Sequence, residues 1–255
     1  MATGALVAQR ATELQARGYA MIDDIIEPSL LSELAADSER RLSAVEALSK
    51  SSDAGWATKK SFWVRLLDQE AKGGFATDSI FVRYALQPRI LSLVTAALGG
   101  ELPMLSYVLL TLSMPTDAPL AVSQLWHRDH DDTRVIKMFT YLTDVNDERD
   151  GPFTFVPREP SDRVGYSMRS HRPDDDVFRK VPRDVVRVMT APRLTTFVVE
   201  TSRCFHMGSR MAPGHHRLMY TATFVSAPSI YPRSAPPFRP AGPLDQTTRL
   251  VLGLT

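Results

Sequence analysis

The chain is 255 residues long with 44% hydrophobic content, enough to bury one sizeable core, and a single domain is expected over 1–255. Its 30 basic and 29 acidic side chains leave a net charge of +1, so nothing in the charge calls for a nucleic-acid partner or an anionic membrane surface. One cysteine, Cys204, excludes an intrachain disulfide framework, and neither a basic-then-apolar leader nor a membrane-length apolar run is found, so a cytoplasmic protein in a reducing compartment is expected.

Residues 1–17 carry Leu6, Val7 and Leu14 with few breakers and read as a short helix before Gly18. Tyr19 to Ile26 reads as a first strand. Pro28 then opens an amphipathic helix with Leu30, Leu31, Leu34, Leu42, Val45 and Leu48 on one side and Glu39, Arg40 and Arg41 on the other. A loop follows over Ser51 to Gly55, and Trp56 to Phe75 has no clear pattern. A short helix is expected over 78–85, and a clearer one starts at Pro88 and stops at Gly99 and Gly100. Residues 1–100 are therefore expected to be a mainly helical scaffold buttressing a sheet.

From about 104 to 226 the pattern changes to short apolar and β-branched runs separated by turns, beginning with a strand over Leu102 to Met114. The expected class is α+β, mainly β, with helices to one side. Residues 158–187 interrupt it with seven arginines and Lys180 around Asp174, Asp175 and Asp176, a composition no core strand carries. That segment is expected as an insertion, either a lid over the site or a solvated excursion. After 226, prolines from Pro228 to Pro243 predict an extended tail over 227–255 that wraps the surface or makes a homodimer contact.

Chemistry concentrates between Gln124 and Asp132. On a strand, His127 and Asp129 project to one face while Arg128 goes to the other. An imidazole and a carboxylate so placed are two of the three ligands of a 2-His-1-carboxylate facial triad, which holds non-haem Fe(II) and leaves positions open. A third ligand is available in His206, within a strand-turn-strand pattern punctuated by Gly208, Pro213 and Gly214, which is expected to bring His206 and Arg217 onto neighbouring strands. An arginine beside a metal suits the far carboxylate of a dicarboxylate co-substrate. His130 and Asp132 repeat the spacing on the opposite face. His171, His215 and His216 are the other candidate third ligands, and Arg210 is the other candidate arginine, at a turn where its charge can be solvated. Cys204 stands two residues before His206 as a conceivable thiolate ligand, although small buried packing is the plainer role.

In order along the chain, Gly18 to Ser29, Gln124, His127, Asp129, the run Lys137 to Asn146, the run Asp150 to Pro157, His206 and Arg217 resemble the Fe(II)/2-oxoglutarate-dependent oxygenases of the phytanoyl-CoA dioxygenase type. The likeness extends to about residue 226. It implies a double-stranded β-helix, the jelly-roll also seen in cupins. It implies His127, Asp129 and His206 as ligands of Fe(II), Arg217 as the residue holding 2-oxoglutarate, and Gln124 as a secondary contact to that co-substrate. With O2 as second co-substrate, the implied reaction is oxidation of a small molecule, by default hydroxylation, with release of succinate and CO2, and secondary-metabolite tailoring is one setting for it. Asp129 argues against a halogenase, because chlorinating relatives carry a small residue there. Trp126, Phe139, Tyr141, Phe153 and Phe155 either line an apolar pocket or belong to the core. The rival is a non-catalytic or 2-oxoglutarate-independent cupin-like metal-binding protein, which has no use for Arg217 and Gln124 in register with three ligands.

Overall fold

The computed structural model describes residues 3–51, 62–67, 73–165, 170–230 and 237–254. Its helices are α1 (Thr3–Arg17), α2 (Pro28–Ser51), α3 (Ile80–Ala85), α4 (Pro88–Ala97), α5 (Arg158–Asp162), α6 (Asp174–Phe178) and α7 (Gln246–Val251). The strands are β1 (Tyr19–Met21), β2 (Trp63–Arg65), β3 (Phe75–Ala76), β4 (Pro103–Ser113), β5 (Val135–Tyr141), β6 (Thr154–Phe155), β7 (Arg187–Val188), β8 (Thr196–Glu200), β9 (His206–Met207), β10 (Arg217–Ser226) and β11 (Phe238–Arg239). None of the described helices is long and apolar enough to cross a membrane.

The architecture is mixed, with one large antiparallel sheet of six strands in the order β1-β8-β5-β10-β4-β2 and a small one in the order β7-β6-β9. Alternation along the strands divides the large sheet into two unlike faces. Ile136 and Met138 of β5, Val198 of β8, and Leu218, Tyr220, Ala222 and Phe224 of β10 pack on one face against the apolar sides of α1, α2, α3 and α4. Tyr84 of α3 satisfies its hydroxyl inside that interface on Thr140 and Thr196, at 3.1 and 3.0 Å. The other face carries Phe139, Tyr141, Phe197, Val199 and Met219, which pack against Phe155 of the small sheet and Phe153 just before it. The candidate site lies on this inner side.

Several local expectations change once tertiary partners are present. The strand after Gly18 stops at Met21, because Asp23 turns inward and its carboxylate accepts the Thr196 amide at 2.6 Å, leaving Asp23–Ile25 as a single 3-10 turn. Gly18 itself has φ +83, and a Cβ there would stand 2.4 Å from Cys204 Sγ, so only glycine fits. The amino-terminal hundred residues are more than a helical buttress, since β1 and β2 form the two edges of the large sheet. Parts of the stretch from Trp56 to Phe75 lie outside the described residues. The carboxy-terminal segment is not simply an extended wrap: β11 pairs in parallel with β3, α7 ends the chain, and Phe238, Val251 and Leu252 are buried in the helical-side core.

The described residues of this segment, 158–165 and 170–187, include α5, α6 and short turns. Val164, Val177 and Val181 pack with Trp126, Val156 and Phe205. The charged side chains of the segment pair locally, as Arg163 with Glu159 and Arg179 with Asp176. A few valines supply most of the buried contacts, while Arg172 is buried over the Phe205 ring and Asp174 pairs with Arg210 outside the segment.

Candidate metal centre

His127 and His206 are locked opposite each other by a reciprocal backbone pair, His127 N–H to His206 O at 3.0 Å and His206 N–H to His127 O at 2.9 Å. Residues exchanging both bonds across antiparallel chains present their side chains on one face, and here the two ring centroids stand 4.2 Å apart. Each ring is oriented by the carbonyl two residues earlier: His127 Nδ1–H donates to Leu125 O at 2.8 Å and His206 Nδ1–H to Cys204 O at 3.0 Å. A carbonyl only accepts, so each ring carries its proton on Nδ1 and presents the Nε2 lone pair, the arrangement metal-binding histidines use.

Asp129 completes the group. Its amide donates to Thr201 O at 3.1 Å, and its carboxylate stands between the rings, with Oδ1 3.9 Å from His127 Nε2 and Oδ2 3.6 Å from His206 Nε2. The three donor atoms lie within 4.8 Å of one another. Two donors each about 2 Å from a shared ion are separated by roughly 3 to 4 Å, so the gap is metal-sized. Asp129 Oδ2 is buried, with the Lys137 ammonium 2.8 Å away. The metal-sized gap fits a divalent ion with mixed imidazole and carboxylate ligation.

The electrostatics agree. Burial alone would raise the Asp129 carboxyl, but Lys137 and then the two imidazoles hold it well below the usual carboxylate range. Burial pushes His206 down to about 3, with His127 adding to the shift and Asp129 opposing it. His127 is also lowered, chiefly by burial. The site therefore presents an anionic carboxylate and two neutral imidazoles near neutral pH.

Arg217 is the first residue of β10 and lies on the same inner face as Met219, Thr221 and Thr223. It is buried; its Nη1 donates to Gly151 O, its Nη2 to Ser209 Oγ at 3.0 Å, and its Nε has no partner. The expectation that His206 and Arg217 occupy neighbouring strands is corrected, since β9 pairs with β6 in the small sheet whereas β10 pairs with β4 and β5 in the large one. They approach because the sheets face each other. Gln124 is buried near that arginine, with Nε2 donating to Ser209 O at 3.0 Å and Oε1 accepting the Ala121 amide at 3.2 Å. Ser209, which joins both residues, has φ +60, a conformation that non-glycine residues rarely adopt. Gly151, whose carbonyl accepts from Arg217 Nη1, has φ +58, and a Cβ there would clash with Met211 Sδ.

The stretch holding His127 and Asp129 is an isolated bridge followed by irregular backbone, not the regular strand that the two-residue spacing suggested. Arg128 nonetheless points away, donating to Arg203 O and Ser161 O at 3.0 and 2.6 Å. Asp132 accepts from Thr133, Ser229 and Ile230 instead of joining a second triad. His215 pairs with Asp150 at 2.7 Å. Cys204 is buried with its thiol against Gly18 O at 3.6 Å, and burial pushes that thiol far above its ordinary range, which opposes a thiolate. Arg210 is not solvated: its guanidinium takes both oxygens of Asp174, at 2.9 and 2.7 Å, beside the Trp126 Nε1–H donor.

Two further residues stand near the triad: His171, which the sequence offered as an alternative third ligand and which is not among the three grouped donors, and Lys137, which carried no functional reading. His171, from the insertion, stacks on His127 with ring centroids 5.1 Å apart. Lys137 of β5 places Nζ 2.8 Å from Asp129 Oδ2. A lysine between Ile136 and Met138, in a run otherwise apolar, was the available signal for the second.

No family model matches the sequence, and no curated protein does. Among solved structures, the non-haem alpha-ketoglutarate-dependent epimerase SnoN from nogalamycin biosynthesis superposes with a TM-score of 0.59 at 18% identity, covering 95% of this chain and 96% of that one. EctD from S. alaskensis, solved with 2-oxoglutarate and 5-hydroxyectoine, gives 0.58 at 15% identity over 87% of this chain and 77% of that one. HygX from Streptomyces hygroscopicus, solved with nickel and 2-oxoglutarate, gives 0.53 at 15% over 86% and 87%. At these identities the likeness establishes the fold.

Proposed function

We propose that this protein is a non-haem Fe(II)/2-oxoglutarate-dependent oxygenase acting on a small molecule. The observation that carries the reading is Arg217: a buried guanidinium, paired only with a carbonyl, a hydroxyl and the Tyr141 ring among the described residues, on the inner face of the large sheet that looks toward the small sheet carrying His206. A buried cation without an anion is costly, and the distal carboxylate of 2-oxoglutarate supplies one. A simple metal-binding module has no need of that residue. The two sheets correspond to the major and minor sheets of a double-stranded β-helix, and the motif order supports membership of the phytanoyl-CoA dioxygenase type.

In this reading His127, Asp129 and His206 hold Fe(II), and Arg217 binds and orients the co-substrate, with Ser209 and Gly151 fixing the guanidinium. Gln124 acts on the co-substrate end by fixing Ser209, since both ends of its amide are engaged by backbone. The iron supplies activation of O2 coupled to conversion of 2-oxoglutarate to succinate and CO2. Phe139, Phe153, Phe155 and Phe197 form a dry aromatic wall that excludes water. Hydroxylation is the proposed outcome. Natural-product tailoring in the cytoplasm is the proposed setting, which the likeness to SnoN from nogalamycin biosynthesis supports. Because SnoN is an epimerase, product analysis and not co-substrate consumption identifies the reaction.

The test is anaerobic addition of Fe(II) and 2-oxoglutarate to metal-free protein, read by the weak visible charge-transfer band of a chelated 2-oxo acid. The band is expected in wild type, lost in His127→Ala, and shifted in Arg217→Ala to roughly 30-fold higher 2-oxoglutarate, about 2 kcal/mol for a buried charged partner. A well-folded wild type without the band refutes the oxygenase reading.

A further inference from the structure

Each imidazole of the triad has an outer partner that fixes it, the carbonyl two residues earlier. Asp129 lies in irregular backbone, its amide donates to Thr201 O, and among the described residues no hydrogen bond from its own segment reaches the buried carboxylate. Its close neighbour is Lys137, with Nζ 2.8 Å from Oδ2 and only 14% of the lysine side chain exposed. Asp131 is farther from that ammonium, at 3.9 Å, and four times as exposed as Asp129, 43% against 11%. The Tyr107 ring flanks the lysine with its centroid 5.8 Å away.

Nothing in the fold requires a lysine here. Position 137 lies opposite Thr223 and Val199 on the inner face of a strand whose next inward residues are Phe139 and Tyr141. An apolar side chain would continue that face, whereas an ammonium buried in it is destabilising unless it is well paired. The pairing it finds is with one member of the triad and with one particular oxygen of that member.

We infer that Lys137 is the positioning residue for the metal-binding carboxylate, holding Oδ2 of Asp129 so that the group keeps one orientation toward the ion shared with His127 and His206. The inference rests on the proposed iron site and extends it: two backbone carbonyls and one ammonium each support one of the three ligands. Loss of such outer partners typically lowers metal affinity 10- to 100-fold. Pure charge repulsion has the opposite sign, because removing a cation beside a divalent ion strengthens binding. The sign of the change therefore discriminates between the two roles.

The experiment is titration of the metal-free full chain with Fe(II) under anaerobic conditions and separately with Co(II), whose visible bands report coordination. It compares wild type, Lys137→Met, Lys137→Gln and Lys137→Arg, each first checked for a cooperative thermal transition. Lys137→Met is expected to bind both ions at least tenfold more weakly with altered Co(II) bands, and Lys137→Arg to recover most of the affinity. Lys137→Gln, a neutral donor of similar reach, carries the test should Lys137→Met not fold, with the same direction and a smaller loss. Unchanged or tighter binding in the folded neutral variants overturns the assignment. Wild type that takes up neither ion overturns the iron site beneath it, a result separate from any difference among variants.

Discussion

The two faces of the large sheet are built on the same strands and do opposite things. Along β10, Leu218, Tyr220, Ala222 and Phe224 face the helices and form a dry core, while Arg217, Met219, Thr221 and Thr223 face the small sheet. Along β5, Ile136 and Met138 join the first set and Lys137 the second. One face accumulates burial energy. The other bears a guanidinium hydrogen-bonded only to neutral groups and a buried ammonium, and it faces the segments that carry the three converging ligand side chains; such groups destabilise a fold unless a counter-charge or ion completes them. A period of two lets a single strand carry both without compromise, because neighbouring residues never compete for the same surroundings.

The largest expected effect separates the faces. Phe224→Ala on the outer face should cost about 3–5 kcal/mol of stability through lost burial and an unfilled cavity, while the folded fraction keeps wild-type affinity for Fe(II) and 2-oxoglutarate. Urea unfolding and the charge-transfer titration, run on the same sample, check this; weakened metal affinity with unchanged stability would show that the faces are not independent.

The inner face has a measurable cost with pH. His206 is held at about 3, first by burial and then by His127, whereas an unfolded histidine titrates near 6.5. Between those values the unfolded chain binds a proton that the folded chain refuses, so stability falls as pH falls, by up to about 1.4 kcal/mol per pH unit for this one group. Asp129, held below the usual carboxylate range, acts in the same direction only below about pH 4. Unfolding in the presence of chelator at pH 7, 6 and 5 should show this slope, reduced in His206→Gln; equal slopes in both proteins would contradict it.

The smallest effect is expected away from either face. Arg193 and Glu39 form an ion pair with side chains 47% and 56% exposed, and Arg193→Ala should change stability by less than about 0.5 kcal/mol. A larger loss in urea unfolding would mean that the α2 contact to the loop before β8 contributes more than exposure suggests.

Much of this arrangement was legible in the chain. Pro88 and Gly99 bracket α4 because proline suits a helix start and glycine a left-handed exit, and both signals are local. His127 and Asp129 were readable as one-sided from their spacing, although irregular backbone and not a regular strand holds them. Arg210 was misread as a solvated turn residue because its partner, Asp174, belongs to an insertion whose docking has no local signal. The carboxy-terminal prolines suggested a surface wrap, yet Phe238 and Val251 are core residues, since their burial depends on β3 and the helical layer.

The amino-acid sequence by itself determined the donor types, their order, and the alternation that divides each strand between core and site, because these follow from side-chain chemistry and backbone period. Only the tertiary structure decided that His127 faces His206 across a backbone pair, that Arg217 reaches the site from the opposite sheet, and that Lys137 attends Asp129. Those contacts join residues distant in the chain, and their geometry is set by how two sheets stack, which no local pattern encodes.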